Sequence, residues 1–312
     1  MKPKLSVKIG KLVIKNPVMV ASGTFGYAEE FKGLVDPNRL GAIVTKTITL
    51  NPREGNPPPR TCETPAGMLN SIGLENPGLD KFISEKMPIL RKFGPPLIVS
   101  IASETGPEEF VTLARHLDKT AGVAAIELNI SCPNIKLTNS QTHKSTKLIA
   151  QDARATYELV KAVRKVTKKT LITKLSPNVT FIAEIARAAK NAGSDAISLI
   201  NTLMGMSIDV RSRKPKLAMV QGGLSGPAIR PVAVYMVREV YRTIRIPIIG
   251  MGGIMDVSGA LEFLIAGATA VSLGTANFIN PASAIKVISG LENYLRQNRI
   301  QDIRHMIGSL KE

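Results

Sequence analysis

Eight short apolar segments recur along this chain, each closed by turn-forming or polar residues, and most are followed by a longer stretch with helical spacing. The segments are PVMVA at 17–21, AIVTK at 42–46, LIVSI at 97–101, AIELNI at 125–130, LITKL at 171–175, AISLI at 196–200, PIIGM at 247–251 and TAVSL at 269–273. Between them FVTLARHLDKTAG, ATYELVKAVRKVT, FIAEIARAAKNAG, VAVYMVREVYR and SGALEFLIAG place apolar residues at helical spacing, several ending in the Gly or basic residues that close helices. Asp256 in MDVSGALEFL stands where a carboxylate accepts the free amide hydrogens of a helix start. A strand, helix, strand repeat needs parallel strands joined by right-handed crossovers, and eight such strands close into a (β/α)8 TIM barrel with no exposed edge. An open doubly wound sheet is the alternative, but the dinucleotide fingerprint G-x-G-x-x-G is absent after the first strand. Ahead of that strand, LSVKIG and LVIKN read as an N-terminal β-hairpin. The 312 residues exceed the roughly 250 of a typical barrel by enough for long loops, so 1–312 reads as one barrel domain.

Composition narrows the function classes. No apolar run approaches the roughly 20 residues of a membrane span, and the basic N-terminus lacks the apolar stretch of a secretory signal, so the expectation is a cytoplasmic protein without membrane contact. Cys62 and Cys132 are the only cysteines, which excludes a multi-disulfide framework and a four-cysteine zinc or iron-sulfur site within one chain. Any such cluster belongs to a partner. A net charge of +17 favours anionic substrates or nucleic acid, but the basic residues are spread out, aromatics are 4% and Trp is absent, so no nucleic-acid cleft is expected.

Three polar, Gly/Pro-rich segments follow predicted strand ends, at 49–78, 131–146 and 201–226, and in a barrel all three would lie over the C-terminal face. Glycines in GGLSG, GMGG and SLGTA allow backbone amides to approach a phosphate, which makes Gly226, Gly252, Gly253, Gly274 and Thr275 candidates for that role; tight turns are the plainer alternative. Lys46 and Lys174 sit at strand ends, where an ammonium can stabilise negative charge on a substrate or a reduced heterocycle; a solvent-facing or snorkelling side chain is the alternative for each. Asn70, Asn129, Asn134 and Asn201 carry paired donors and acceptors suited to a planar ligand with amide and carbonyl edges, or cap loops. Cys132 lies in a polar loop, where its thiolate would accept a substrate proton; an inert thiol is the alternative. His116, His143 and His305 are scattered without metal-ligand spacing, so no metal site is expected.

Taken together and in order, ASGTFGY, TKTITLNPREGNPPPR, MLNSIGLENPG, ELNISCPN, GMSIDVRSRKPKL, GGLSGPAIRP, GMGGI and SLGTA resemble the dihydroorotate dehydrogenases over essentially the whole chain, and specifically their NAD-linked class 1B catalytic subunits. The resemblance implies an FMN-containing barrel that oxidises (S)-dihydroorotate to orotate. It makes Cys132 the base at C5 while the C6 hydride passes to flavin N5; class 2 relatives use serine, and the adjacent Ser131 is the lesser candidate. It assigns orotate binding to Asn70, Asn129, Asn134, Asn201 and Thr202, with Ser71, Ile72, Gly73 and Leu74 contributing around the backbone. Lys46 would contact both flavin and substrate, and Lys174 would support the isoalloxazine ring. Ala21, Ser22, Gly23, Thr47 and Asn129 match flavin contacts, and the glycines with Thr275 would hold the FMN phosphate. The same resemblance implies a homodimer of catalytic chains, joined as a heterotetramer to two electron-transfer subunits carrying FAD and a [2Fe-2S] cluster, with NAD(+) as terminal acceptor. Ala28 departs from the family, where glycine is common; if that position has positive φ, alanine is strained there, and a modest loop change is the alternative. Competing readings are a related FMN oxidoreductase using another pyrimidine or electron acceptor, a tRNA-modifying flavoprotein and, from a different class, a basic nucleic-acid-binding protein.

Overall fold

The computed structural model describes residues 2–131 and 148–311. Eight parallel strands close a barrel in chain order: β1 (Val18–Val20), β2 (Ala42–Val44), β3 (Leu97–Ile101), β4 (Val123–Asn129), β5 (Thr170–Lys174), β6 (Ala196–Leu199), β7 (Ile248–Met251) and β8 (Ala270–Leu273). Each of these strands coincides with one of the eight apolar segments, with ends displaced by at most two residues. Both faces of the strands are covered, which is why they read as continuous apolar runs rather than as alternation. The surrounding helices include Pro107–Lys119, Ala153–Arg164, Ile182–Asn191, Arg230–Thr243 and Val257–Ala266, the five expected from spacing. Asp256 caps the last of these by accepting from Gly259 N at 2.8 Å. Helical segments over 78–90 and Ser283–Gln297 complete the layer, while β1 is followed only by short 3-10 turns. No helix among the described residues is long and apolar enough to cross a membrane.

The two mouths of the barrel are built differently. Val7–Ile9 and Leu12–Ile14 form the expected antiparallel hairpin, with Ile9 and Ile14 fully buried. Its turn glycine, Gly10, has φ +57, and a Cβ there would stand 2.8 Å from Asp195 Cβ and 2.9 Å from Thr170 Cγ2. Thr170 begins β5, so the hairpin seals the N-terminal end of the barrel. At the C-terminal end, two of the segments read as loops instead pair into a four-stranded antiparallel sheet, in the order Leu203–Met206, Gln221–Ser225, Gly67–Asn70, Thr61–Thr64. This sheet stands over the barrel mouth as a crown. Gly223 makes the crossing possible, because a Cβ there would collide with Thr202 Oγ1 at 2.0 Å.

Ala28 is fully buried at φ 67. The condition for strain at that departure from the family is therefore met, since a left-handed alanine costs roughly 1–2 kcal/mol relative to helical backbone.

Candidate functional site

Between the crown and the C-terminal strand ends lies a cavity of about 910 Å³, within the range of roughly 300–1,000 Å³ common for ligand sites. It brings together Ala21, Ser22 and Gly23 after β1, Lys46 and Thr47 after β2, Asn129 at the end of β4 and Lys174 at the end of β5. Asn201 and Thr202 enter after β6, Gly252 and Gly253 after β7, and Gly274 and Thr275 after β8. The crown adds Asn70 through Leu74 and Gly226. Of the residues singled out from sequence, Cys132, Asn134 and His143 lie outside the described residues.

The asparagines are held by one another and by hydroxyls. Asn129 Nδ2 donates to Thr47 Oγ1 at 3.3 Å, and its Oδ1 accepts from Ser131 Oγ at 2.9 Å and from Asn201 Nδ2 at 3.4 Å. Asn201 Nδ2 also donates to Ser131 Oγ, and Asn201 Oδ1 accepts from Thr202 N at 2.9 Å. Asn70 Nδ2 donates to Gly223 O at 3.3 Å across the crown. The 71–74 backbone is clamped from the Pro-rich segment. Asn56 N donates to Ile72 O at 2.9 Å, and Asn56 Nδ2 donates to Ser71 O and Oγ, each at 3.0 Å. Such mutual satisfaction fixes amide orientations before a ligand arrives.

Two ammonium groups face this amide cluster. Lys174 is 5% exposed, and burial lowers the pKa of Lys46 below the ordinary lysine value, an effect opposed by Glu75 and reinforced by Arg60. Among the described residues neither lysine forms an ion pair. Two partly desolvated cations in one cavity favour an anionic ligand, because desolvation leaves their charge unscreened.

The glycine turns of the lining also meet. Gly252 and Gly253 have φ +129 and +71, and a Cβ on Gly253 would stand 2.7 Å from Gly226 O. Gly226, at φ +96, precedes the turn that enters helix Arg230–Thr243. Thr275 Oγ1 donates to Ser225 Oγ at 2.8 Å, tying the β8 end to the crown strand that leads into Gly226. Backbone amides unobstructed by side chains, beside a helix start, form a cradle for a phosphate. Met68, Ile200, Met204, Met219, Ile229 and Ile254 give the cavity its apolar lining.

Several lining or supporting residues were not singled out from sequence. Gln151 Nε2 donates to Asn178 O at 2.8 Å, and Asn178 bridges Thr202 O and Met204 N at 3.1 and 3.0 Å. Asn56 and Asn178 stand in loops and Gln151 ends the short 3-10 turn Ile149–Gln151, with no spacing that distinguishes them from ordinary turn residues. Below the cavity, Glu127 was legible in principle: it precedes Asn129 by two residues, and a strand places such pairs on one face.

Comparison with known proteins gives one consistent family. The family model described as dihydroorotate dehydrogenase matches residues 4–295. The chain is 52% identical over 311 residues to the dihydroorotate dehydrogenase B (NAD(+)) catalytic subunit of Trichlorobacter lovleyi, covering 100% of both chains. It is 53% identical over 309 residues to the protein of that name from Desulforamulus reducens, covering 99% of each. The Thermoanaerobacter pseudethanolicus protein of that name is 51% identical over 307 residues, covering 98% of this chain and 99% of its own.

Proposed function

This chain belongs to the dihydroorotate dehydrogenase family, and on that premise we propose that it is the catalytic subunit of an NAD(+)-linked, class 1B enzyme oxidising (S)-dihydroorotate to orotate in pyrimidine biosynthesis. The observation that carries this reading is the convergence of two partly desolvated lysines, an interlocked asparagine cluster and a glycine cradle in one cavity. FMN fits these residues. The cradle of Gly226, Gly252, Gly253, Gly274 and Thr275 suits its phosphate, and Lys174 with Ala21, Ser22, Gly23, Thr47 and Asn129 suits its ring. When bound, FMN supplies an acceptor for the hydride from C6 of the substrate.

The protein's own groups do the rest. Asn70, Asn129, Asn134, Asn201 and Thr202, with the 71–74 backbone, hold the pyrimidine ring in register, so that little orientational entropy remains to be lost on reaction. Lys46 offsets the charge of the anionic substrate. Cys132, three residues beyond Asn129 in ELNISCPN, removes the C5 proton. Catalytic chains pair as a homodimer and dock two subunits carrying FAD and [2Fe-2S], which pass electrons to NAD(+). Two cysteines in the whole chain are too few for such a cluster, which supports this division of labour.

Cys132→Ala tests the assignment of the base. The variant retains FMN, and its flavin is reduced by dihydroorotate slower by about 10²- to 10⁴-fold, the range of general-base contributions. Unchanged reduction at equal flavin occupancy removes Cys132 from the mechanism. Dihydroorotate-dependent NAD(+) reduction requires the added electron-transfer protein; full NAD(+) reduction by this chain alone contradicts the proposed partner.

A further inference from the structure

Beneath the cavity floor lies a buried acid that the proposed chemistry does not use. Glu127 on β4 is 2% exposed. Ser100 Oγ of β3 donates to its Oε1 at 3.1 Å, and Ser198 Oγ of β6 donates to its Oε2 at 2.9 Å. Because β5 separates β4 from β6, this reach places Glu127 and Ser198 inside the barrel. Lys174 pairs in register with Asn129 on one side and Ser198 on the other, so it shares their interior face. From Ser100 the contacts run upward: Ser100 Oγ is 3.0 Å from Thr47 Oγ1, which is 2.9 Å from Ser22 Oγ and accepts from Asn129 Nδ2 at 3.3 Å. Ser22, Thr47 and Asn129 line the cavity.

The direction of every hydrogen in this chain follows from one end. A carboxylate only accepts, and a hydroxyl carries one hydrogen. Ser100 commits its hydrogen to Glu127, so toward Thr47 it accepts and Thr47 donates. Thr47 then accepts from both Ser22 and Asn129. Ser22 has committed its own hydrogen and turns lone pairs to the cavity, while the Asn129 amide is locked with nitrogen toward Thr47 and one N–H left for a ligand.

We propose that Glu127 is a positioning residue whose carboxylate, acting through Ser100 and Thr47, makes Ser22 an acceptor and Asn129 a donor at the cavity wall. The site thereby selects a ligand that brings a ring N–H to Ser22 and a carbonyl or ring-nitrogen acceptor to Asn129. Imide-bearing heterocycles have this chemistry; the use of FMN as the probe rests on the function proposed above.

The test is FMN titration of the flavin-free chain, followed by fluorescence, for the wild type, Glu127→Met, Ser100→Ala, the double variant and Ser198→Ala. Methionine removes the acceptor, whereas a glutamine oxygen could still accept from Ser100, so Glu127→Met weakens FMN binding about tenfold, the scale of one misdirected hydrogen bond. Ser100→Ala does the same, and the double variant is no weaker than either single, because both cut one chain. Ser198→Ala, which touches the carboxylate but not the path to Ser22, changes affinity less than threefold. The flavin midpoint potential rises in Glu127→Met, which loses a negative charge, and stays in place in Ser100→Ala. Additive losses, a Ser198→Ala effect equal to that of Glu127→Met, or an unmoved potential in Glu127→Met each overturn the inference. If Glu127→Met does not fold, Ser100→Ala decides, and wild-type affinity there overturns it. Wild-type protein that takes no FMN overturns the cofactor reading as well, whereas a binding wild type with unaffected variants overturns the proton ordering alone.

Discussion

Replacing Gly274 with alanine separates the cradle's ligand role from any role in folding. Gly274 is not among the glycines with positive φ, and a Cβ there would meet only Ala21 Cβ and Thr24 Cγ2, both at 3.8 Å. That is ordinary van der Waals contact, so the flavin-free protein accepts the methyl. Loss of glycine's freedom in the unfolded chain stabilises it by about 0.4–1 kcal/mol, which raises Tm by roughly 0.6–1.5 °C in a chain of 312 residues. The same methyl enters the cavity where the phosphate would approach the backbone. Forcing one methyl into a filled contact costs about 1–3 kcal/mol, a loss of about 5- to 140-fold in FMN affinity. Gly253→Ala is the contrasting variant: at φ +71 and 2.7 Å from Gly226 O, its Cβ strains the protein with or without ligand, lowering stability by about 2–4 kcal/mol. Differential scanning calorimetry of the flavin-free proteins and fluorescence titration with FMN read the two effects. Wild-type FMN affinity in Gly274→Ala refutes the cradle assignment, and a destabilised flavin-free Gly274→Ala refutes the packing argument.

Glu109 supplies an acid-sensitive brace for the turn at 103–106. Burial raises its pKa, but hydrogen bonds from Ser103 Oγ at 2.7 Å and from the amides of Glu104, Thr105 and Leu50 outweigh it, and the net shift is downward. Its stabilisation is therefore complete above the ordinary glutamate pKa and is lost as pH falls through the lower folded value. Glu109→Gln costs about 1–3 kcal/mol at pH 7, and urea denaturation shows the gap to wild type closing below about pH 4.5; a gap independent of pH contradicts the assignment. Lys46 gives the opposite pH limb. Its pKa is lowered by burial, so orotate binds fully while the ammonium is protonated and weakens as pH rises through that lowered value, and calorimetry at alkaline pH shows proton uptake on binding. A flat alkaline profile removes Lys46 as the anion's counter-charge. Ala28→Val, a β-branched residue forced into buried left-handed backbone, destabilises the protein by more than about 2 kcal/mol. Ala28→Gly changes stability by less than about 1 kcal/mol, because strain relief and added unfolded-state freedom oppose each other; a Val variant with wild-type Tm contradicts the φ assignment.

The barrel was legible because each strand is buried on both faces and its apolar run is local in sequence. LIVSI at 97–101 coincides with β3 without adjustment. The crown was not legible. Its strands, TCET, GMLN, LMGM and QGGLS, carry glycine and polar residues instead of a hydrophobic period. Asn70 pairs with Gly223 across more than 150 residues of sequence, a register that no local pattern encodes. The lining residues Lys46, Lys174, Asn129 and Asn201 stood out because strand-end position is itself readable in a repeating fold. Asn56 and Asn178 act through loop-to-loop hydrogen bonds, and their meaning depends on distant segments being in place. Glu127 was hidden differently. Surrounded by apolar neighbours in AIELNI, it passed as part of a core strand, although its two-residue spacing from Asn129 puts it on the same face.

Anaerobic absorbance titration of the purified, FMN-loaded chain with (S)-dihydroorotate tests the central claim most directly, with the pyrimidine product identified alongside. The account predicts stoichiometric bleaching of the flavin bands and one orotate formed for each flavin reduced. Folded, flavin-loaded protein whose absorbance dihydroorotate leaves unchanged contradicts it.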